Sequence, residues 1–158
     1  MVVNWEAVGA IGETVGALAV VITLVYLATQ IRSQNRESRL AAVHELTEAF
    51  RAATMSFQDP NLASVFVRAK TDFTELPEEE RLQFISMVHG VLRVWEDAYY
   101  QYGQNRLDER LWNAMVIQFS GYFSLPGVRR VWEIRKQAYS EDFRRFVDST
   151  PPREYVTK

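Results

Sequence analysis

The chain has 158 residues, of which 47% are hydrophobic and 24% are charged, and its formal net charge is -2. Without a positive net charge or a nucleic-acid-binding motif, the protein is not expected to bind nucleic acid, whose phosphates require a basic surface. The sequence contains no cysteine, which excludes disulfides, thiolate nucleophiles and cysteine-ligated metal centres. This size accommodates one membrane span and one compact domain.

The first predicted element is an apolar helix near the N-terminus. The segment from Ala7 to Ile31 contains no Lys, Arg, Asp or Pro. At about 1.5 Å rise per residue it exceeds the roughly 30 Å hydrocarbon core of a bilayer. Each of its aliphatic residues contributes about -0.3 to -0.6 kcal/mol to insertion, against roughly +2.5 to +3.5 kcal/mol for a central acid, so Glu13 is tolerated. We therefore predict a transmembrane anchor over residues 1–32.

A signal peptide and a buried helix of a soluble protein are the alternative interpretations of this segment. The first six residues, MVVNWE, contain no Lys or Arg, and no small-x-small cleavage site follows the apolar core. These features favour an uncleaved membrane anchor.

The distribution of charge predicts the orientation of the anchor. Arg32, Arg36 and Arg39 follow the span, whereas no Lys or Arg precedes it. The predicted membrane is the inner (cytoplasmic) membrane. The positive-inside rule then predicts that the C-terminal domain lies in the cytoplasm and that the N-terminus lies on the outer side of this membrane. Trp5 and Tyr26 are expected at the membrane interfaces, because each has an apolar ring and a polar group.

Small and polar residues gather on one side of the predicted span when residues are placed at about 100° steps. We call this sector the small-residue face; it contains Gly9, Gly12, Glu13, Gly16, Ala19 and Thr23. Val20 and Leu27 also point into this sector, so its surface is mostly small only in the N-terminal half. Helices in lipid associate where small residues let their backbones approach, and the G-x-x-x-G pattern at Gly12 and Gly16 provides such a surface. We therefore expect Glu13 to face protein or water, either in a dry helix interface or along a pore.

The first helix is predicted to continue beyond the membrane. No Pro or Gly occurs from Ala17 through Asp59, and apolar residues keep a helical spacing as far as Phe57. The polar residues Ser33 to Asn35 mark a point where this helix could bend.

Further helices are predicted after it, each with a start signal and an apolar face. They run from Pro60 to about Phe73, from Pro77 to about Tyr102, from Asn105–Asp108 to Phe123, and from Pro126-Gly127 to Tyr139 with a restart at Ser140. Asp59 is the expected N-cap of the first of these helices, and Gly103 is expected to end the second. No strand alternation occurs. The predicted fold is all-α, with the transmembrane helix continuing into a cytoplasmic helical bundle over residues 33–148 and a loose tail over 149–158.

The sequence lacks catalytic and metal-binding motifs. A di-iron site needs Glu-x-x-His pairs, but Ala41 and Ser86 stand three residues before the two histidines. His44 and Glu48 have the i, i+4 spacing of a solvated pair, and His89 is expected to be hydrogen-bonded and partly buried.

No Gly-rich phosphate loop, G-x-S-x-G elbow or H-E-x-x-H motif occurs either. We therefore expect no enzymatic activity, no metal and no cofactor. The aromatic residues from Trp95 to Tyr102 could line a ligand groove, but their helical spacing favours the hydrophobic core.

Several segments resemble those of a group of small bacterial membrane-anchored helical proteins. They are Asn4 to Glu13 (NWEAVGAIGE), Val25 to Arg32 (VYLATQIR), Ala98 to Tyr102 (AYYQY), Leu107 to Glu109 (LDE), and Pro126-Gly127 with Trp132. The resemblance covers almost the whole chain and implies the anchor and the helical domain. It implies no activity and no functional residue, because none is established for that group.

Three functions are compatible with these features. The leading hypothesis is a non-enzymatic homo-oligomeric membrane protein that assembles through the small-residue face and carries a cytoplasmic interaction domain. The second is an oligomeric cation channel in which a ring of Glu13 carboxylates lines the pore. The third is an accessory subunit of a larger membrane complex. The expected partners are membrane lipid, a second copy of the chain or another membrane subunit.

Overall fold

The computed structural model describes residues 4–155, without the side chains of Trp5, Ala7, Val8 and Ser56. All regular structure in this range is helical, which confirms the predicted all-α class. The helices are α1 Trp5–Met55, α2 Pro60–Ala69, α3 Glu78–Gly103, α4 Glu109–Phe123, α5 Pro126–Arg135 and α6 Glu141–Ser149, with short 3-10 turns at Ser56–Gln58 and Lys136–Ala138.

The chain divides into two compact units, which we call the N-terminal unit (Met1–Leu40) and the C-terminal unit (Ala41–Lys158). This division comes later than the boundary predicted after Arg32. The reason is burial, because Ala42 is the first buried residue of the described chain and every described residue before Ser38 is exposed.

Helix α1 runs through the polar patch Ser33 to Asn35 without a break. The Ser33 hydroxyl donates to the Glu37 carboxylate at 3.2 Å, so it does not compete for a backbone carbonyl. In the apolar half, the hydroxyls of Thr14 and Thr23 each donate to the carbonyl four residues earlier, both at 2.8 Å. These side chains are satisfied within their own helix.

Side-chain caps and proline set the starts of the shorter helices. The Asp59 carboxylate accepts the backbone N–H groups of Asn61 and Leu62, at 2.8 and 3.3 Å, which confirms the predicted N-cap of α2. Asp108 caps α4 in the same way by accepting from Leu111 N–H at 2.9 Å. Pro126 stands at the start of α5, as expected from its fixed φ.

Helix α2 ends at Ala69 and does not reach Phe73 as predicted. The cause is a local turn in which Asp72 accepts both the backbone N–H and the hydroxyl of Thr74, at 2.9 and 2.8 Å. Such a side chain offers the backbone an alternative to the helical pattern. Phe73 is buried, at 4% exposure, from within the turn.

Helix α3 ends at Gly103, as predicted, and the cap that follows it is formed around Asn105. Gly103 is the last helical residue, but Asn105 adopts the left-handed conformation with φ 57°. Asn105 N–H donates to the Tyr102 carbonyl and Arg106 N–H to the Gln101 carbonyl, the pair of bonds that defines a Schellman motif. Asparagine tolerates this conformation better than most residues.

Aromatic rings form the core of the C-terminal unit. Trp95 is fully buried in α3, stacks on Phe119 of α4 at 4.9 Å, and meets Phe143 of α6 edge-on at 5.9 Å. Ala98 is also fully buried, so the core interpretation is confirmed for these two members of the Trp95 to Tyr102 cluster, whereas Tyr100 is 65% exposed. Edge and stacked ring contacts of this kind add to the stability from burial.

Backbone contact joins the end of α2 to the start of α5. Gly127 N–H donates to the Lys70 carbonyl at 2.8 Å. A Cβ placed on Gly127 would lie 2.1 Å from the Ala69 carbonyl oxygen, a distance that no side chain tolerates. Only glycine fits where these two helices meet.

The chain after α6 returns along α4. Arg153 N–H donates to the Ser120 carbonyl at 3.3 Å, and the Glu154 carbonyl oxygen lies 3.6 Å from a Cβ built on Gly121. These contacts hold residues 153–155 of the predicted loose tail against α4. The last three residues of that tail lie outside the described range.

Candidate functional site

The N-terminal part of α1 presents apolar side chains that the rest of the described chain does not cover. Gly9–Met55 is, within residues 4–155, the helix long and apolar enough to cross a membrane. Its most apolar 18-residue window has a mean hydropathy of 2.0, and none of that window is buried. Ile22, for example, is 67% exposed. A core helix of a soluble protein, which is mostly buried, and a signal sequence near the N-terminus pass the same test of length and composition.

The small-residue face lies on this uncovered stretch, and all its members are exposed: Gly9, Gly12, Glu13, Gly16, Ala19 and Thr23. A Cβ added at any of its three glycines would meet no described atom within 4 Å outside the local helix backbone. The Thr23 hydroxyl is bonded to the Ala19 carbonyl, and the Glu13 carboxylate accepts no hydrogen bond from the described residues. The face is therefore open to a partner, and nothing in the described chain accounts for its glycines.

The predicted interface residues are also exposed where their side chains are described. Tyr26 is 63% exposed. Arg32, Arg36 and Arg39 are exposed, and none of them forms an ion pair with a described residue. The side chain of Trp5 lies outside the described part of the chain.

Two histidines were considered as ligands, and the structure places them in different settings. His44 is exposed, and Glu48 pairs with Arg51 at 2.6 Å. His89 is partly buried and its Nδ1 lies 2.8 Å from the Tyr139 hydroxyl, which confirms the prediction of a hydrogen-bonded histidine. Across residues 4–155, no group of three His, Asp or Glu side chains is arranged to hold a metal ion.

The His89–Tyr139 pair belongs to a polar cluster that links α3 to the turn before α6. The Arg93 guanidinium lies 4.5 Å from the centre of the Tyr139 ring and donates to the Ala138 carbonyl at 2.9 Å. Glu96 pairs with Arg93 and accepts from the Ser140 backbone N–H at 2.8 Å. Apart from the Arg93–Glu96 pair, which lies within α3, these contacts join α3 to residues 138–140.

Burial governs the titration of this pair. Desolvation lowers the pKa of His89, and the cations Arg93 and Arg135 lower it further. Burial also raises the pKa of the Tyr139 phenol to about 12. Both groups are therefore neutral near pH 7, and neither is activated as a nucleophile.

The C-terminal unit contains an apolar cavity of about 450 Å³. Half of its lining residues are aromatic and come from separate elements: Phe50, Phe57, Phe66, Phe119, Tyr122 and Tyr155. The Tyr122 ring stacks on Phe66 with centroids 5.8 Å apart and planes 6° from parallel. Sequence reasoning missed this cavity, because aromatic residues at helical spacing give the same pattern whether they fill a core or surround a space.

Comparison with protein-family models, with curated proteins and with solved structures finds no match for this chain.

Proposed function

We propose that the protein is a non-enzymatic membrane protein anchored by α1, which self-associates through the small-residue face and carries a helical bundle as an interaction domain. The observation that carries this proposal is the uncovered apolar window of α1, with mean hydropathy 2.0 and no buried residue. Contact of so much apolar surface with water is unfavourable, and hydrocarbon provides the cover that the described chain does not.

The charges after the apolar window support an orientation. Arg32, Arg36 and Arg39 are exposed and unpaired by described acids, as expected for residues beside anionic headgroups. The positive-inside bias then directs the C-terminal unit to the cytoplasm and the N-terminus to the outside of the inner membrane.

Self-association explains the glycines of α1. Gly127 is required by a contact within the chain, whereas Gly12 and Gly16 meet no described atom that needs their small size. Glycine also weakens a helix relative to alanine, so its repeated use needs another reason. Close approach of a second helix supplies that reason, and it removes Glu13 from lipid.

Disulfide crosslinking in native membranes tests this proposal, because the chain has no cysteine of its own. Ala19→Cys places a thiol on the small-residue face, and Val25→Cys is the matched control, because at about 100° per residue Val25 points about 120° away from Ala19. We expect oxidation to yield dimers for Ala19→Cys and monomers for Val25→Cys. Adding Gly12→Leu to Ala19→Cys should reduce the dimer band severalfold.

Three results would contradict self-association through this face. The first is monomer alone for Ala19→Cys, and the second is equal crosslinking from both faces. The third is a crosslink to a different polypeptide, which would favour the accessory-subunit alternative. Recovery of either variant outside the membrane fraction would contradict the anchor itself.

A cation channel is the second candidate, and the exposed carboxylate of Glu13 on the small-residue face favours it. A ring of carboxylates attracts cations into a pore. Planar-bilayer recordings of the wild type and of Glu13→Gln test this candidate. Cation conductance that falls in the variant supports a pore, and conductance unaffected by the substitution removes Glu13 from any filter.

A further inference from the structure

The cavity of the C-terminal unit has the size and lining of a small-molecule site. Its volume of about 450 Å³ lies within the range of roughly 300 to 1,000 Å³ that such sites occupy. Phe50 and Thr54 of α1, Phe66 of α2 and Phe119 of α4 enclose it from different sides. Apolar walls with a few polar groups bury the body of a ligand and orient its polar end.

The charge of the lining restricts the ligand. Lys70 is the one ionised side chain among the described lining residues, which include no Asp or Glu. It is partly buried, and its ammonium forms no ion pair with a described residue. A single cation on an apolar wall complements one negative charge; a ligand with several charges, such as a nucleotide, would find too few partners.

A second polar group in the lining lacks a partner. Tyr122 is 9% exposed, and its hydroxyl is buried with no hydrogen bond to any described residue. Leaving a buried hydroxyl unpaired is unfavourable, so this group has an unused capacity to donate. Burial raises the pKa of Tyr122, with a further contribution from the phenol of Tyr155, and the hydroxyl therefore keeps its proton.

We propose that this cavity binds a single-chain carboxylic acid, with the acyl chain against the aromatic wall and the carboxylate recognised by Lys70 and the Tyr122 hydroxyl. Both polar groups offer what a carboxylate accepts, a charge-assisted hydrogen bond from an ammonium and a hydrogen bond from a phenol. A cationic amphiphile would meet the like charge of Lys70 and would find no carboxylate among the lining residues. This site is separate from the small-residue face and does not require self-association.

Equilibrium dialysis of radiolabelled octanoate against the full chain in phosphatidylcholine nanodiscs tests the proposal, with empty nanodiscs as the blank. Octanol and octylammonium share the same chain and differ in charge. We expect saturable binding of octanoate at one site per chain, weaker binding of octanol and none of octylammonium above the blank.

Variants of the polar groups identify the site. Lys70→Met should weaken octanoate binding by roughly tenfold or more, the scale of a charge-assisted hydrogen bond, while octanol binding changes less than about twofold. Lys136→Met is the matched control, because Lys136 pairs with Glu133 outside the cavity lining. Tyr122→Phe keeps the stacked ring and removes the hydroxyl, so it should weaken octanoate binding without lowering thermal stability.

The outcomes separate clearly. Absence of saturable octanoate binding above the blank would overturn the proposal, as would octylammonium binding as tightly as octanoate. Equal octanoate affinity in wild type, Lys70→Met and Tyr122→Phe would place any binding elsewhere. Loss of binding in these two variants with normal binding in Lys136→Met supports the site, whatever the oligomeric state in the crosslinking experiment.

Discussion

The two units of the molecule use glycine and apolar residues in opposite ways. In the C-terminal unit, Gly127 is enforced by a carbonyl oxygen of the same chain, and large apolar residues form a buried core, although others such as Leu82 and Ile134 are exposed. In the N-terminal unit, Gly12 and Gly16 meet no described neighbour, and Leu18 and Ile22 are more than half exposed. The comparison teaches that the C-terminal unit buries an apolar core of its own, whereas the apolar window of the N-terminal unit is not buried by any part of the described chain.

Several polar groups of the C-terminal unit have partners within the chain, whereas Trp95 Nε1 and the Tyr122 hydroxyl are buried without one among the described residues. In the C-terminal unit, Trp132 Nε1 donates to Asp148 at 2.8 Å, and the His89–Tyr139 pair is enclosed by Arg93 and Glu96. Glu13 in the N-terminal unit accepts nothing from the described residues. A carboxylate in an apolar stretch without an internal partner needs an external one, whether protein or water.

The largest expected effect comes from adding charge to the uncovered window. Val21→Arg with Leu24→Arg should release the protein from membranes washed with alkaline carbonate, because a central arginine costs roughly 2.5 to 3.5 kcal/mol each time it enters hydrocarbon. Leu82→Arg with Ile134→Arg is the matched control, since both residues are exposed in the C-terminal unit. If both double variants remained in the membrane pellet, the apolar window of the N-terminal unit would not be what anchors the protein.

The next largest effect concerns the glycine that the chain itself requires. Gly127→Ala should lower the free energy of unfolding of the C-terminal unit by about 3 kcal/mol or more, since the new methyl group collides with a backbone carbonyl. Gly90→Ala, in open space within α3, should raise it by about 0.5 to 1 kcal/mol. Urea denaturation followed by tryptophan fluorescence measures both changes.

Gly12→Ala extends that comparison to the N-terminal unit. It should leave the urea transition of the C-terminal unit unchanged, because no described atom of that unit lies near the added methyl group. A shift as large as that of Gly127→Ala would show that the glycines of the two units have the same role.

A smaller effect is expected from pH. The pKa of His89 is lowered in the folded state, first by burial and then by Arg93 and Arg135, with Glu96 opposing them. In the unfolded chain the pKa of His89 is about 6.5. Below that pH the unfolded chain therefore binds more protons than the folded protein, and the free energy of unfolding falls as the pH decreases.

Denaturation at pH 7.5 and pH 5.5 measures this dependence. His89→Gln should lose less stability between the two values than the wild type, because it no longer takes up the proton. His44→Gln, at the exposed histidine, should behave as the wild type does. Equal losses in all three proteins would assign the dependence to other groups.

The smallest effect is expected from the ion pair between α2 and α3. Arg68 donates to both oxygens of Glu80, at 2.8 and 2.9 Å, and this interaction lowers the pKa of the carboxylate. The pair is exposed to solvent, so its coupling in a double-mutant cycle of Arg68→Gln and Glu80→Gln should be smaller than the effects above and should decrease at 1 M NaCl. A coupling insensitive to salt would contradict this assignment.

Local signals predicted most of the helical elements. Asp59, Asp108 and Pro126 mark helix starts through their own side chains, and the structure confirms each. The end of α2 is an exception, because the helix stops at Ala69, before the turn at Asp72, and does not reach Phe73. The predicted end of α3 at Gly103 is confirmed.

Of the candidate sites, the small-residue face could be predicted from the sequence, because helical periodicity alone places its residues on one side of the helix. The cavity could not, since Phe50, Phe119 and Tyr155 are distant in sequence and approach only through packing. The polar cluster around His89 was foreseen only in part, because its partners Tyr139 and Ser140 come from another element.

The sequence by itself determined the all-α class, the long apolar helix and the residues of the small-residue face. In a helix of known period, the spacing of residues in the sequence fixes the side of the helix on which each one lies. Only the tertiary structure decided where the first buried residue falls, which glycine is sterically required, and which aromatic rings surround a space. These properties depend on contacts between elements far apart in the chain, and no local pattern encodes the distance between two helices once they have packed.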